Sequence, residues 1–279
     1  MKRVLVIVVT YNGMQWLERC LASVEGADLY VFDNDSTDGS ADLVASRFPQ
    51  AKLVRSAENL GFSKPNNLGF AYALEHGYEY VYLLNQDAWL ETGALEKLLS
   101  AADEHKEYAV LSPLQMTDGY QELDAQFARV LIPGLTGDLV PVRRVMAAHW
   151  LVPVWALKRL GLFNEALFPF YGQDDDWCNR LRYHGFKAGV VPAARAVHDR
   201  ARRQEPKERT IDRNYRIGSL LRLCDINRPL WERFLFVCLF TLVKAVKYRS
   251  LLPFMHFAGI CRQLPQIKSA RLAARKQGM

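Results

Sequence analysis

Short apolar runs recur along the first third of the chain, and each run ends in a polar, turn-forming segment. β-branched and aromatic residues dominate the runs, which predicts buried strands. The runs are residues 4–9, 29–32, 52–55 and 80–84. The segments between them, with apolar residues at helical spacing, are residues 14–24, 43–48 and 66–76. Strands that alternate with helices predict an α/β fold with a doubly wound, mainly parallel sheet flanked by helices.

The second half of the chain continues this alternation less regularly. Residues 145–152 predict a strand that leads into a helix over residues 154–160. A further strand is predicted over residues 187–192, and a helix over residues 211–224. The same α/β architecture is therefore expected to extend through most of the chain.

Residues 228–279 differ in character from the rest of the chain. Their first apolar run, residues 234–243, has ten residues, about half of the roughly twenty that a membrane-spanning helix needs. Residues 251–260 repeat the apolar character, and Lys and Arg residues flank both runs. We therefore predict a basic, amphipathic helical tail that lies in the plane of a membrane surface. The alternatives are a helical subdomain packed on the core and a homodimer interface.

Charge is distributed unevenly between this tail and the body of the chain. The 279 residues carry a formal net charge of +6. From Arg228 onward, ten Lys and Arg residues stand against one acid, Glu232, so the tail carries +9 and the preceding residues carry −3. Because the basic excess lies in an appendage, we expect no nucleic-acid partner. With half of its residues hydrophobic, the chain can bury one large domain beside the appendage.

The cysteines and the N-terminal run indicate a cytoplasmic protein. The cysteines are Cys20, Cys178, Cys224, Cys238 and Cys261. They are odd in number and form no Cys-x-x-Cys pair, which favours reduced thiols and argues against a zinc site. The apolar run near the N-terminus is broken at residues 10–13 without a cleavage-like site, so a buried strand is a better interpretation than a signal peptide.

Carboxylates stand at the ends of two predicted strands. Asp33 follows residues 29–32, and Asp87 closely follows residues 80–84. In a parallel sheet the carboxyl ends of the strands border a ligand crevice, so both side chains are candidates for ligand contact. The alternative is that they cap the following helices. We favour this capping role for Asp35 and Asp38, which lie deeper in the turn.

Four polar segments follow these strands in a specific order. They are residues 9–12 (Val-Thr-Tyr-Asn), residues 33–40 (Asp-Asn-Asp-Ser-Thr-Asp-Gly-Ser), residues 59–62 (Asn-Leu-Gly-Phe) with Asn67, and residues 84–87 (Leu-Asn-Gln-Asp). From about residue 3 to about residue 198 the chain resembles inverting glycosyltransferase family 2, in its bacterial rhamnosyltransferase-like branch. No single segment is specific to this family, but the four segments in this order are.

The resemblance implies a GT-A fold over residues 1–227 with a C-terminal helical appendage. Residues 1–110 would bind the nucleotide sugar, and residues 111–227 would bind the acceptor and carry the catalytic base. The residues expected to contact the nucleotide sugar are Thr10, Tyr11, Asn12, Asp33, Asn59, Gly61, Phe62, Asn67, Asn85, Gln86 and Asp87. Ser63, Lys64 and Pro65 stand where relatives carry small residues, so the shape of this loop departs from the family pattern.

A divalent cation, Mg²⁺ or Mn²⁺, is the cofactor that the resemblance implies. Residues 85–87 occupy the place of the family's Asp-x-Asp signature, but only the second Asp, Asp87, is present. By register with the family, His198 closes the same metal or diphosphate site. Such a cation stabilises the charge that develops on a departing diphosphate. The basic residues 200–203 then either fold over the diphosphate or form a solvated linker.

The catalytic base follows from the same register. Residues 174–176 are three consecutive Asp residues, and Asp174 occupies the place of the family's base. An inverting transfer needs one carboxylate to take the acceptor's hydroxyl proton. Neighbouring carboxylates raise its pKa and the helix dipole lowers it, and the sequence leaves open which effect is larger. Asp175 is expected to cap the helix, whereas Asp176 and Trp150 are expected to position the acceptor or the loop.

The sequence therefore predicts an inverting glycosyltransferase at the inner face of the cell membrane. The first candidate donor is dTDP-rhamnose and the second is a UDP-sugar. The acceptor would be a growing surface polysaccharide or a lipid-linked glycan. A nucleotidyltransferase is disfavoured because residues 10–13 are not a glycine-rich basic loop. A catalytically silent nucleotide-sugar-binding scaffold on the same fold remains the alternative.

Overall fold

One β-sheet runs through the fold, and apolar clusters cover both of its faces. The computed structural model describes residues 3–24, 26–119, 121–131, 137–199 and 207–277, with side chains of the last range described from residue 214 onward. Within these residues the sheet has nine strands. The predicted α/β fold with a mainly parallel sheet and C-terminal helices is confirmed.

The strands and helices have the following bounds. The strands are β1 (Val4–Thr10), β2 (Asp28–Asp33), β3 (Lys52–Arg55), β4 (Tyr80–Asn85), β5 (Ala88–Leu90), β6 (Tyr108–Met116), β7 (Val140–Val142), β8 (His149–Pro153) and β9 (Lys187–His198). The helices are α1 (Met14–Ala22), α2 (Ser40–Arg47), α3 (Ser63–Glu75), α4 (Ala94–Glu104), α5 (Ala125–Ala128), α6 (Val154–Leu160), α7 (Gln173–Tyr183), α8 (Lys207–Cys224), α9 (Leu230–Tyr248), α10 (Leu252–Arg262) and α11 (Leu264–Lys276).

Strand order in the sheet is β3-β2-β1-β4-β8-β6-β9-β5, with β7 paired to β9. The first four strands in this order are mutually parallel. β8 runs antiparallel to β4 and β6, whereas β6 and β9 are again parallel. The parallel half therefore presents the carboxyl ends of β1, β2 and β4 at a single edge.

Burial of both faces explains why β1 is an unbroken apolar run. Leu5 and Ile7 pack into one core cluster, and Val4, Val6 and Val8 pack into the cluster on the other face. A strand covered on both sides requires apolar residues at successive positions, not alternate ones. The sequence pattern of residues 4–9 thus follows from the position of β1 in the middle of the sheet.

The sequence-based strand bounds needed two corrections, and three strands were not predicted. The strand expected over residues 145–152 begins only at His149, and the strand expected over residues 187–192 continues to His198. β5, β6 and β7 were missed. β5 and β7 have three residues each and form by pairing with β9, which a local pattern cannot reveal.

The C-terminal helices share a third apolar cluster with the body of the chain. Leu167 and Phe168 of the body pack with residues of α8 to α11. Arg271 of α11 donates hydrogen bonds to the carbonyls of Leu223 and Asp225 at 2.8 and 2.6 Å. One side of the predicted tail is thus packed on the core. Among the helices described, none is both long and apolar enough to cross a membrane.

A backbone clasp joins the two halves of the fold in front of α3. The carbonyl of Pro169 accepts hydrogen bonds from the N–H groups of Phe62 and Ser63 at 2.7 and 2.9 Å. Gly61 precedes them with φ of +84°, and a Cβ at this position would lie 2.6 Å from the Pro169 oxygen. Only glycine therefore allows the two loops to approach this closely.

Substitution of this glycine is expected to open the clasp. Gly61→Ala adds the cost of a left-handed alanine, about 1–2 kcal/mol, to the clash with Pro169. Gly93 has a similar φ of +78° with open space around its Cβ position, so Gly93→Ala is the matched control and carries only the backbone cost. Urea unfolding should show the larger loss for Gly61→Ala. Equal losses of unfolding free energy in the two variants would mean that the clash with the Pro169 oxygen has no cost, which would contradict the role of the clasp.

Candidate active site

The carboxyl ends of β1, β2 and β4 meet at one edge because these strands are parallel and in register. Thr10 pairs with Asp33, and Val9 pairs with Asn85. The backbone N–H of Asn34 donates to the Thr10 carbonyl at 2.8 Å just beyond the strands. The predicted nucleotide-sugar residues of the first, second and fourth strands are thus brought together.

Gln86 fixes the loop that follows β1. Its Oε1 accepts hydrogen bonds from the Thr10 hydroxyl and the Tyr11 N–H, both at 2.8 Å, and its Nε2 donates to the Tyr11 carbonyl at 3.2 Å. Thr10 is fully buried, whereas the Tyr11 ring is 47 % exposed. Gln86 and Thr10 therefore shape the crevice, and the Tyr11 ring is available to a ligand.

Asn12 ties the loop after β1 to the loop after β2. It adopts a left-handed conformation with φ of 49°. Its N–H donates to the Ser36 hydroxyl at 3.0 Å, and its side-chain oxygen accepts from the Thr37 N–H at 2.9 Å. Asp38 accepts from the N–H of Met14 at 2.9 Å, at the start of α1. These groups stabilise the turn, which is the role we favoured for Asp38.

Asp33 presents an unsatisfied oxygen at the strand end. The side chain is only 4 % exposed, and its Oδ2 accepts from the Ser36 N–H at 3.2 Å. Its Oδ1 is buried without a hydrogen-bond partner among the described residues. A buried carboxylate oxygen without a partner is costly, and a ligand N–H or O–H would satisfy it.

Asn34 is a site residue that the sequence analysis missed. Its Nδ2 donates to Asn59 Oδ1 and to the Gly61 carbonyl, at 2.9 and 2.8 Å, and its Oδ1 accepts from the Leu60 N–H at 2.7 Å. It thereby positions the loop that enters the Pro169 clasp. The available signal was an Asn between two Asp residues directly after a strand, a position typical of loop-forming side chains.

Asn59 and Asn67 use their side chains within the protein. Asn59 Oδ1 accepts from Asn34 and from the Gly61 N–H at 3.0 Å. Asn67 donates to the Phe163 carbonyl and the Glu165 carboxylate, at 3.0 and 2.8 Å, and accepts from the Phe163 N–H at 2.9 Å. The Phe62 ring lies 6.4 Å from that of Phe163. Asn67 and Phe62 thus connect the first half of the chain to residues 163–165, whereas Asn59 holds its own loop.

Asp87 and His198 meet where β4 and β9 end. Asp87 Oδ1 lies 3.4 Å from His198 Nε2, and both side chains are almost completely buried. The strand pairing of Ala88 with His198 and the hydrogen bond from the Asp199 N–H to the Asp87 carbonyl, at 2.8 Å, hold them in place. The two residues predicted to share a metal or diphosphate site are therefore adjacent.

The chemistry of Asp87 and His198 suits a divalent cation that a bound diphosphate also coordinates. A carboxylate oxygen and an imidazole nitrogen are ligands that Mn²⁺ accepts, and the carboxylate also suits Mg²⁺. Within the described residues, no group of three or more His, Cys, Asp or Glu side chains could hold a metal. Asp87 and His198 could therefore hold such a cation together with diphosphate oxygens and water.

His149 supports the pair from behind. It is fully buried, and its ring lies edge-on to His198 with the ring centroids 6.5 Å apart. Its Nε2 lies 3.0 Å from the Val197 carbonyl, and its Nδ1 lies 2.9 Å from the Tyr82 hydroxyl. Because a carbonyl can only accept, Nε2 carries the proton and Nδ1 accepts from Tyr82. The tautomer of His149 is fixed by these two neighbours.

Asp174 stands in the first turn of α7, just after Gly172, and is half-buried. Burial and the neighbouring charge of Asp175 raise its pKa to about 6, although hydrogen bonds from the N–H groups of Asp175 and Ala147 act in the opposite direction. Asp175 itself pairs with Arg144 through two contacts of 2.8 Å. Desolvation and repulsion therefore outweigh these hydrogen bonds and the nearby Arg144 charge, and Asp174 can exchange a proton near neutral pH.

Asp176 and Trp150 are core residues. Asp176 accepts from Arg180 Nε at 3.1 Å, and burial raises the pKa of its carboxyl. It lines a cavity of about 380 Å³ toward α11, with Asp174 not among the lining residues. Trp150 packs against Trp177 of α7 at 5.5 Å between ring centroids. Asp176 belongs to α7, the helix that carries Asp174, and Trp150 packs against the same helix.

The predicted basic loop of residues 200–203 lies outside the described residues.

Comparison with known proteins gives the same family as the strand-end segments. Residues 5–126 match the model of glycosyl transferase family 2. The chain is 28 % identical over 233 residues to N-acetylglucosaminyl-diphospho-decaprenol L-rhamnosyltransferase of Mycobacterium tuberculosis, covering 70 % of this chain and 76 % of the relative. It is 24 % identical over 203 residues to the dTDP-rhamnosyl transferase RfbF of Shigella flexneri, covering 69 % and 67 %.

Solved structures share the fold. The mannosyltransferase PcManGT of Pyrobaculum calidifontis, solved with GDP-Man and Mn²⁺, superposes with a TM-score of 0.61 at 18 % identity and covers 99 % of this chain and 86 % of its own. GalNAc-T7, solved with UDP, GalNAc and Mn²⁺, has a TM-score of 0.57 at 14 % identity and covers 71 % of this chain, which spans 44 % of GalNAc-T7. The family match over residues 5–126, the rhamnosyltransferase relatives and the shared fold together support a rhamnosyltransferase-like glycosyltransferase of family 2 with a GT-A fold.

Proposed function

We propose that the protein is an inverting glycosyltransferase that moves rhamnose from dTDP-rhamnose to a growing surface polysaccharide or a lipid-linked glycan. The observation that carries the proposal is the buried pair of Asp87 and His198, 3.4 Å apart at the sheet edge that also presents Asp33. This arrangement offers separate groups for a diphosphate and for a nucleoside. A UDP-sugar is the second candidate donor.

The nucleoside part of the donor has two candidate partners. The unsatisfied Oδ1 of Asp33 would accept a hydrogen bond from a base N–H or a ribose hydroxyl. The exposed ring of Tyr11 would stack on the base. Thr10, Asn12, Asn59 and Gln86 act in this proposal by holding the loops, because their polar atoms already have partners within the chain.

The diphosphate would lie against Asp87 and His198 together with Mg²⁺ or Mn²⁺. When bound, such a cation stabilises the negative charge of the leaving diphosphate as a Lewis acid. With Asn85 neutral, the protein contributes one carboxylate to this site, so the nucleotide itself is expected to contribute most of the cation's affinity. The Mn²⁺ complexes of structurally similar enzymes support a divalent cation.

Asp174 would act as the base in a single displacement. The acceptor oxygen attacks the anomeric carbon from the face opposite the diphosphate, and Asp174 takes the hydroxyl proton as the bond to the leaving phosphate oxygen breaks. A pKa of about 6 makes Asp174 a stronger base than an ordinary aspartate while leaving it ionised at neutral pH. Asp176 and Trp150 would hold α7 and its loop from the core side.

The name of one relative supports a proposal for the acceptor and for the location of the enzyme. The Mycobacterium tuberculosis relative is named for a diphospho-decaprenol-linked substrate, and this supports a lipid-linked acceptor here. Because a lipid carrier lies in a membrane, we also propose that the protein works as a peripheral protein at the cytoplasmic face of the cell membrane.

A donor panel tests the proposed function. We expect the purified protein to transfer sugar from dTDP-rhamnose to membrane lipid extract with Mg²⁺ or Mn²⁺, and to lose this activity with chelator because the diphosphate charge is no longer stabilised. The measurement is nucleotide release together with radiolabelled sugar in the lipid fraction. Turnover of a UDP-sugar alone would select the second donor. Nucleotide binding without turnover of any donor would favour a catalytically silent scaffold.

The pKa of Asp174 predicts a pH profile. A base must be deprotonated, so kcat/KM is expected to rise with pH through about 6 and to level off above it. Asp174→Asn should lower kcat by about 10²–10⁴-fold and leave the dissociation constant of dTDP unchanged. Asp175→Asn is the control: it removes a repelling charge, so it should move the inflection to lower pH and lower the plateau rate far less than Asp174→Asn does. An Asp174→Asn rate near wild type would contradict the assignment.

His149 is expected to act on metal binding through His198. His149→Phe removes the hydrogen bond to the Val197 carbonyl and should weaken Mn²⁺ binding in the presence of dTDP by about tenfold, measured calorimetrically. His184 also hydrogen-bonds a carbonyl, that of Ala274 at 2.8 Å, but it lies beyond the end of α7. His184→Phe is therefore the control. The same Mn²⁺ affinity in both variants would contradict the supporting role.

A further inference from the structure

One side of α9 carries a continuous row of exposed apolar side chains. Trp231, Leu235, Leu239, Leu242 and Val246 recur at intervals of four, four, three and four residues, which places them on one face of the helix. Each is between 51 and 77 % exposed. Val237 and Thr241, on the opposite face, are buried against the core. We call this row the outer face of α9.

α10 adds to this apolar surface. It lies beside α9, with the rings of Phe234 and Phe257 5.8 Å apart between the two helices. The exposed apolar residues at its start are Leu251, Leu252, Phe254 and Met255, which are 40 to 74 % exposed. A soluble domain rarely exposes so many large apolar side chains close together, so we expect a binding partner to cover this surface.

Basic residues accompany the apolar ones. Lys244, Lys247 and Arg249 cluster at the C-terminal end of α9. Lys244 Nζ lies 5.1 Å from the centre of the Phe240 ring and 5.4 Å from that of Tyr248, and helical spacing puts Lys244 on the side of α9 away from the outer face, whereas Lys247 and Arg249 are exposed. From residue 228 onward the only acid is Glu232. An exposed apolar helix face that ends in the exposed Lys247 and Arg249 matches the acyl and phosphate layers of an anionic bilayer.

Charge also decides between a bilayer and a second copy of the chain. A symmetric dimer would bring two copies of the basic cluster into one interface, where Glu232 is the only acid from residue 228 onward that could offset them, and an excess of like charge opposes association. Anionic phospholipid instead complements the cluster. Since none of the described helices is long and apolar enough to cross a membrane, contact would be made in the plane of the surface.

We propose that the outer face of α9 and the exposed residues of α10 bind the surface of an anionic phospholipid bilayer. The apolar side chains enter the boundary between headgroups and acyl chains, and Lys247 and Arg249 contact lipid phosphates. The inference deepens the proposed function, which places the acceptor in a membrane, but its structural basis is separate from the crevice. This surface would hold the enzyme where a lipid-linked acceptor is found.

Co-sedimentation of the full chain with vesicles tests the proposal without donor or metal. The protein should sediment with vesicles of phosphatidylcholine and phosphatidylglycerol, bind pure phosphatidylcholine vesicles less, and be partly released by salt because phosphate contacts are screened. The double variant Leu239→Glu and Val246→Glu should lower the bound-to-free ratio by about tenfold or more. Lys247→Glu with Arg249→Glu should abolish the preference for phosphatidylglycerol.

The matched control is Leu68→Glu, which places the same charge on a 42 % exposed leucine of α3 and should leave vesicle binding unchanged. Circular dichroism and dTDP binding confirm that each variant is folded. Equal vesicle binding by wild type and the α9 double variant would overturn the proposal. So would a concentration-dependent dimer that the double variant dissociates, since a second copy would then cover the surface. Failure of the proposed function would appear instead as absent donor turnover with vesicle binding intact.

Discussion

The hydrogen bonds of Asn34 hold the crevice together. Its backbone N–H donates to the end of β1, and its side chain binds the loop of residues 59–61. That loop leads into the Pro169 clasp, only a few residues before α7 and Asp174. The loop after β2 is therefore connected to the loop before α7 through the buried Asn34 amide and the Pro169 clasp. This connection depends on glycine at position 61, where a side chain would meet the Pro169 oxygen.

The polar residues around the crevice divide into those that build it and those left for a ligand. Gln86, Asn12 and Asn34 form their hydrogen bonds with residues of neighbouring loops. Asp33 keeps a buried oxygen without a partner among the described residues, and Asp174 has a pKa raised to about 6. Buried carboxylates of this kind are unfavourable in an empty site and become favourable when a ligand or a proton compensates them. This distribution is expected of a site that binds a polar, phosphorylated substrate.

The sequence was most informative where a local pattern determines the structure. Unbroken apolar runs identified β1 and β4, and the parallel alternation correctly implied that Asp33 and Asp87 end at one edge. Pairing between distant residues left no such signal: the short β5 exists because it pairs with β9, and this pairing brings His198 to Asp87. Only the family resemblance predicted that His198 and Asp87 lie together. The role of Asn34 and the commitment of Asn67 to residues 163–165 likewise depend on tertiary contacts that no spacing reveals.

The most direct test of the account is a crystal structure of the protein with dTDP and Mn²⁺, using the anomalous signal of manganese. We expect a manganese peak within about 2.5 Å of the Asp87 carboxylate and of His198 Nε2, with diphosphate oxygens completing its coordination. The base or ribose should lie within hydrogen-bond distance of Asp33 Oδ1. A nucleotide bound in the cavity beside Asp176, or manganese remote from both Asp87 and His198, would contradict the account.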